Sequence, residues 1–224
     1  MCWSLESSRN AYIIGTIASI TLLYYGDSVD KNMGLFFLAI AQIQLIEYFI
    51  WSDQSCGMIN NYASKMIVPV LTLHIIAIIY GQYYFSSTIL TGNTISLLFS
   101  FIFAISILFN IYNCYFTYNQ KLCSKQISNK GIIWDNGDII NEKSIIYWLS
   151  LLIYFGSFLI LPLLWKSNLK KYTFVFYGFS SFLLIRYFNQ NTWKSRWCFP
   201  SSFVPIFFVF IMFLQRYRWI PSNI

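Results

Sequence analysis

From Met66 to Gln120 the chain carries no Asp, Glu, Lys or Arg, and His74 is the one side chain in that stretch with a basic ring. The run is long enough to cross a bilayer twice, at about 20 residues per helical crossing. Apolar segments of similar length recur on both sides of it. In lipid every backbone polar group must be satisfied within the protein, so the fold is restricted to helices or a closed barrel. The segments lack strict alternation and are about twice the length of a barrel strand, which excludes the barrel. Charged residues make up 10% of the chain, hydrophobic residues 57% and aromatic residues 21%. A soluble domain has about 25% charged residues. The expectation is an all-α, polytopic transmembrane helix bundle forming a single domain over residues 1–224.

Charges and turn residues divide the chain into seven candidate spans: 11–26, 34–51, 66–85, 95–117, 144–164, 172–187 and 198–215. The first and sixth are short for a crossing, so six spans is the alternative. The apolar run after Glu6 and Arg9 reads as a retained signal anchor. Pro69, Pro162, Pro200 and Pro205 remove backbone donors inside or near spans. Gly156 and Gly178 are candidate points of close helix contact. The long loop 118–143 contains turn residues at 129–131 and 135–138 flanking Ile132-Ile133-Trp134, a short strand or interfacial patch.

The net charge of +7 sits at span ends and in loops. Lys31, Lys166, Lys170 and Lys171, for example, read as interfacial anchors rather than as a nucleic-acid surface. Seven crossings place the N-terminus and the loops after spans two, four and six on one face, the N-face. Cys2, Cys56, Cys123 and Cys198 fall there and are candidates for two disulfides, with three pairings open. Counting Lys and Arg puts this face inside. The cysteines favour an extracytoplasmic N-terminus. Six tryptophans (Trp3, Trp51, Trp134, Trp148, Trp193 and Trp197) belong to the same end and read mostly as belt residues.

Glu47 is the sharpest residue in the chain. It shares a helical face with Gln44 and Trp51, and a carboxylate inside a span is costly unless paired, solvated or protonated. It reads either as a proton, cation or ligand site or as a structural hydrogen-bonded acid. His74 near the middle of the third span, Asn110 and Asn113 on one face of the fourth, and Arg186 at the N-face end of the sixth complete a candidate pocket open to the N-face. Each also has a structural reading, as interhelical packing or as snorkelling.

No nucleotide-binding loop or Ser-His-Asp set appears. One histidine cannot make a zinc site, and no cofactor or metal is expected. The seventh span lacks lysine, which excludes a retinal Schiff base there. The signatures of seven-helix receptors and the histidine sets of ceramidase-like hydrolases are also absent. With no catalytic constellation visible, an intramembrane enzyme is the third reading. The expected partners are the lipid bilayer and a small solute or ion, with no nucleic acid. The leading expectation is binding or translocation around Glu47, and the alternative is a membrane organiser or receptor-like protein.

Met1-Cys2-Trp3-Ser4, Gln44-Leu45-Ile46-Glu47 with Trp51, and Trp193-x-Ser195-x-Trp197-Cys198 resemble an uncharacterised family of small multi-span membrane proteins of giant viruses and of algae or other protists. The resemblance covers about a tenth of the chain and carries no activity with it. It implies that Cys2, Glu47 and Cys198 belong to a common framework and that the source is viral.

Overall fold

The computed structural model describes residues 4–126, 131–135, 145–188 and 193–220, with the side chains of 145–151 and several in 182–197 left aside. Among them are eight helices: α1 (Leu5–Tyr25), α2 (Ser28–Ser52), α3 (Met58–Tyr84), α4 (Gly92–Thr117), α5 (Ile145–Leu163), α6 (Asn168–Phe188), α7 (Trp193–Ser201) and α8 (Val204–Arg216). Two short strands, β1 (Lys125–Gln126) and β2 (Ile132–Ile133), pair antiparallel within the long loop. α2, α3, α4 and the apolar stretch Cys198–Arg216 are long and apolar enough to cross a membrane.

The helices begin earlier than their apolar runs because polar caps start them. Ser4 and Ser7 cap α1 reciprocally, each backbone N–H reaching the other's hydroxyl at 3.1 and 3.2 Å. Asp27 and Asp30 do the same for α2. Reciprocal caps of this kind satisfy donors that a helix start leaves open.

α1 and α2 form a tight antiparallel pair. α1 buries a stripe of small residues, Ser8, Ala11, Gly15, Ala18 and Ser19, and turns Ile13, Ile17, Ile20 and Tyr24 outward. Gly34 of α2 meets this stripe, where a Cβ would lie 2.8 Å from the Ser19 carbonyl oxygen. Small residues permit such backbone approach. Gly156 and Gly178, the glycines expected at close contacts, have open space where a Cβ would stand. Flanking small residues, rather than glycine alone, mark the tight interface.

The expected seventh span is broken. α7 stops at Ser201, and α8 restarts at Val204 with Pro205 in its first turn. A proline in the first turn costs no hydrogen bond because that N–H has no helical acceptor. Gly15 packs against this break, since a Cβ there would meet the Ser202 carbonyl oxygen at 2.7 Å.

Within a largely aliphatic core, aromatic rings join α2 to α5, α6 and α8. Phe36 and Phe37 of α2 contact Phe174 of α6, Phe36 also meets Phe158 of α5, and Phe37 also meets Phe208 of α8. Offset and edge-on ring pairs of this kind add about 0.5–1.5 kcal/mol each beyond burial. α4 stands apart, packed chiefly on α3. Leu97, Phe101, Leu108, Ile111 and Tyr115 all face outward from it.

Candidate functional site

Glu47 is wholly buried. It lies near the C-terminal end of α2, and neutral groups surround its carboxylate. Gln44, one turn earlier, donates from Nε2 to Oε2 at 3.3 Å. Trp134 donates from Nε1 to Oε1 at 3.0 Å. The Ser195 hydroxyl of α7 completes the set, and the Cys198 thiol one turn further is close enough to feel the carboxylate's charge.

Trp134 follows β2 and belongs to the long loop, which folds back over the helix ends. It is 8% exposed and Ile132 beside it 1%, so neither is a belt residue. A disulfide and hydrogen bonds with α3 hold the loop in place, and bonds within the loop fix its shape. Cys56, in the α2–α3 turn, forms a disulfide with Cys123, their Cα atoms 5.3 Å apart. Asn60 of α3 donates to the carbonyls of Asp53 (2.8 Å) and Ser124 (2.9 Å) and accepts from Ser124 N–H (3.0 Å). Ser64 Oγ donates to Ser124 Oγ at 2.8 Å, and that oxygen accepts Asp135 N–H at 2.9 Å. Asp135 Oδ2 in turn accepts Cys123 N–H at 2.8 Å.

Asp53 organises the turn beneath. Its carboxylate accepts the N–H groups of Asn60 and Gly57, each at 3.0 Å, and the Ser55 hydroxyl at 2.8 Å. These bonds to the charged form, that from Asn60 first, hold its carboxyl below the usual aspartate range.

The remaining expected site residues separate from this cluster. His74 is buried deeper, with Nδ1 2.7 Å from the Tyr154 hydroxyl of α5. Its Nε2 lies toward the Ala39 carbonyl but makes no well-aligned hydrogen bond. Asn110 donates to the Ser106 carbonyl of its own helix at 2.9 Å. Asn113 is buried on the same side of α4, and no described hydrogen bond leads from either to Glu47. α4 touches mainly α3, so its polar face cannot reach the α2–α7 contact. The Arg186 side chain and all of Cys2 lie outside the described residues. Cys198 is buried with a free thiol, because α7 carries it inward toward Glu47 and away from the loop cysteines. On the N-face side the Trp134 indole, itself 8% exposed, packs on Glu47.

A second polar cluster lies at the opposite end of α2 and escaped the sequence reading. Lys170 of α6 was expected as an exposed anchor but is wholly buried. Its Nζ lies 2.7 Å from Asp27 Oδ2 and 2.7 Å from Asp30 Oδ1. Asp27 keeps a half-exposed side chain; partial desolvation opposes its ionisation, but the Lys170 ammonium and the α2 backbone N–H groups outweigh it and hold its carboxyl low. Next to this triad, the Asn32 amide orientation that satisfies every neighbour accepts from Trp165 Nε1 (2.8 Å) and Ser87 Oγ (3.0 Å) and donates to the Ile78 carbonyl (3.1 Å). Ile89 N–H to the Leu164 carbonyl and Lys166 N–H to the Ser87 carbonyl tie the α3–α4 and α5–α6 turns together. The spacing of Asp27 and Asp30 before an apolar run was a readable sign of a cap. Nothing local marks Lys170 as their partner.

Among the described residues no group of three His, Cys, Asp or Glu side chains could hold a metal ion. No family model, no curated protein and no solved structure matches the chain.

Proposed function

We propose that the chain is a multi-pass membrane protein that binds or translocates a small solute or ion at the Glu47 site, with access from the end closed by the loop hairpin. The observation that carries this reading is one wholly buried carboxylate, without an ionic partner among the described residues, beneath the Trp134 indole of the loop. A lone buried carboxylate is costly in a membrane and marks function by default. Seven crossings are proposed, made by α1 to α6 and the α7–α8 pair. The Cys56–Cys123 disulfide supports an extracytoplasmic or lumenal placement of the hairpin end, where such bonds persist.

The test is ion flux in proteoliposomes, read with membrane-potential and pH dyes. Wild-type flux lost in Glu47→Gln at unchanged protein orientation supports the reading. Equal flux in both, or none in either, overturns it. The competing reading, a non-catalytic membrane organiser, is favoured by the hydrogen bonds on both carboxylate oxygens. On that reading Glu47→Gln lowers thermal stability and changes no flux.

A further inference from the structure

We propose that the ion taken up at this site is a proton, bound by Glu47, and that the Gln44 amide turns over to serve both states of the acid. This rests on the reading of Glu47 as a binding site and narrows what it binds.

The three groups on the carboxylate are donors or, like the Ser195 hydroxyl, able to donate. A metal cation needs several oxygen ligands converging on it, so it would have to displace this shell. A proton needs a single acceptor. Gln44 supplies one: its Oε1 is buried and has no hydrogen-bond partner among the described residues. With Glu47 ionised, Gln44 Nε2 donates to Oε2 across 3.3 Å. With a proton on Oε2, a half-turn of the amide brings Gln44 Oε1 into the place of Nε2, and the acid O–H donates to it. Amide nitrogen and oxygen are nearly isosteric, so the exchange requires no repacking. Trp134 Nε1 keeps its bond to Oε1 throughout, because that oxygen remains an acceptor in both states. The step is simple uptake: one O–H bond forms on Glu47 and the proton comes from water on the hairpin side.

The titratable and charged groups around Glu47 are few. α7 brings the Cys198 thiol, and Arg196 adjoins Ser195. The hairpin brings Asp135, next to Trp134 and turned to Cys123 N–H. α5 and α3 bring Tyr154 and His74, bonded to each other. α1 brings Glu6 and Arg9 at its exposed start, paired at 3.8 Å.

The experiment is infrared difference spectroscopy of the full chain in lipid bilayers, acid against alkaline, with carbon-13 glutamate. The sequence has three glutamates, Glu6, Glu47 and Glu142, so isotope editing narrows the signal to these three without a mutation, and the higher frequency of a buried acid sets Glu47 apart from the exposed Glu6. The expected result is an isotope-shifted carboxylic acid band that appears on acidification. It is lost in Glu47→Gln, kept in Cys198→Ala and displaced in frequency in Gln44→Leu, which removes the acceptor. No isotope-shifted acid band of a buried carboxyl at any pH overturns the proposal, and so does a band that survives in Glu47→Gln. Should Glu47→Gln fold poorly, the Gln44→Leu displacement in the labelled protein decides alone. A titrating band without flux in proteoliposomes leaves proton binding standing and removes translocation. Flux lost in Glu47→Gln without such a band removes only the proton.

Discussion

The two ends of α2 bury acids in opposite ways. At the start, the buried Asp30 and the half-exposed Asp27 close on Lys170, whose ammonium lies 2.7 Å from each carboxylate. Near the finish, Glu47 meets an indole, an amide and a hydroxyl, none of which carries charge. The first end is bound to its partners by charge, and α6, α2 and the neighbouring turns are locked there as one body. The second end is covered by a loop that owes its position to a crosslink and a set of hydrogen bonds remote from the acid. The same helix therefore has a fixed end and a coverable one.

The largest effect is expected at the fixed end. Lys170→Met leaves Asp30 buried without its cation, and breaking a buried pair in this way costs about 3–5 kcal/mol. Thermal unfolding in detergent should show a drop far larger than that of Glu47→Gln, which removes no counter-charge. Equal drops would erase the distinction between the ends.

Next is the crosslink. Replacing both Cys56 and Cys123 with Ser should cost about 2–4 kcal/mol and loosen the hairpin without touching the Lys170 cluster. Hydrogen exchange should then rise at the backbone amides of positions 123 and 124 and stay unchanged at Ser87 and Ile89.

Trp134→Ala is expected to change accessibility most. A water-soluble carbodiimide should modify Glu47 in the variant and spare it in the wild type, as read by peptide mass. Modification of the wild type would mean that the indole does not cover the acid.

The smallest effect concerns acid. Asp53 and Asp27 are both held below the ordinary aspartate value of 3.8. A depressed folded-state value stabilises the protein above the unfolded value and is lost as pH falls through the folded one. The stability that these two carboxyls contribute should therefore persist on acidification until below about pH 4, then fall, read as the difference in unfolding midpoint between the wild type and Asp53→Asn. Asp53→Asn should flatten that decline.

Every span read from the sequence contains a helix, because twenty apolar residues without charge leave the backbone no other way to satisfy itself. Glu47 and Gln44 were legible as one face for the same reason: three-residue spacing is a local property. Trp134 was not, since its neighbours in sequence are turn residues and its contact is 87 positions away. Lys170 failed similarly, its partner Asp27 lying 143 positions away. Asn110 and Asn113 illustrate the converse error. Their depth matched that of Glu47, but depth says nothing of azimuth, and α4 turns them toward α3.

The Cys56–Cys123 bond has a consequence for how the molecule is made. The two cysteines are 67 positions apart, and the chain between them contains the whole of α3 and α4. A ring of that composition closes only after both helices have been laid down and the second has returned its end to the side where the first began. A chain halted after α3 presents Cys56 with no partner. The bond is therefore a record that the charge-free stretch has been threaded out and back, written on the side where the hairpin then settles.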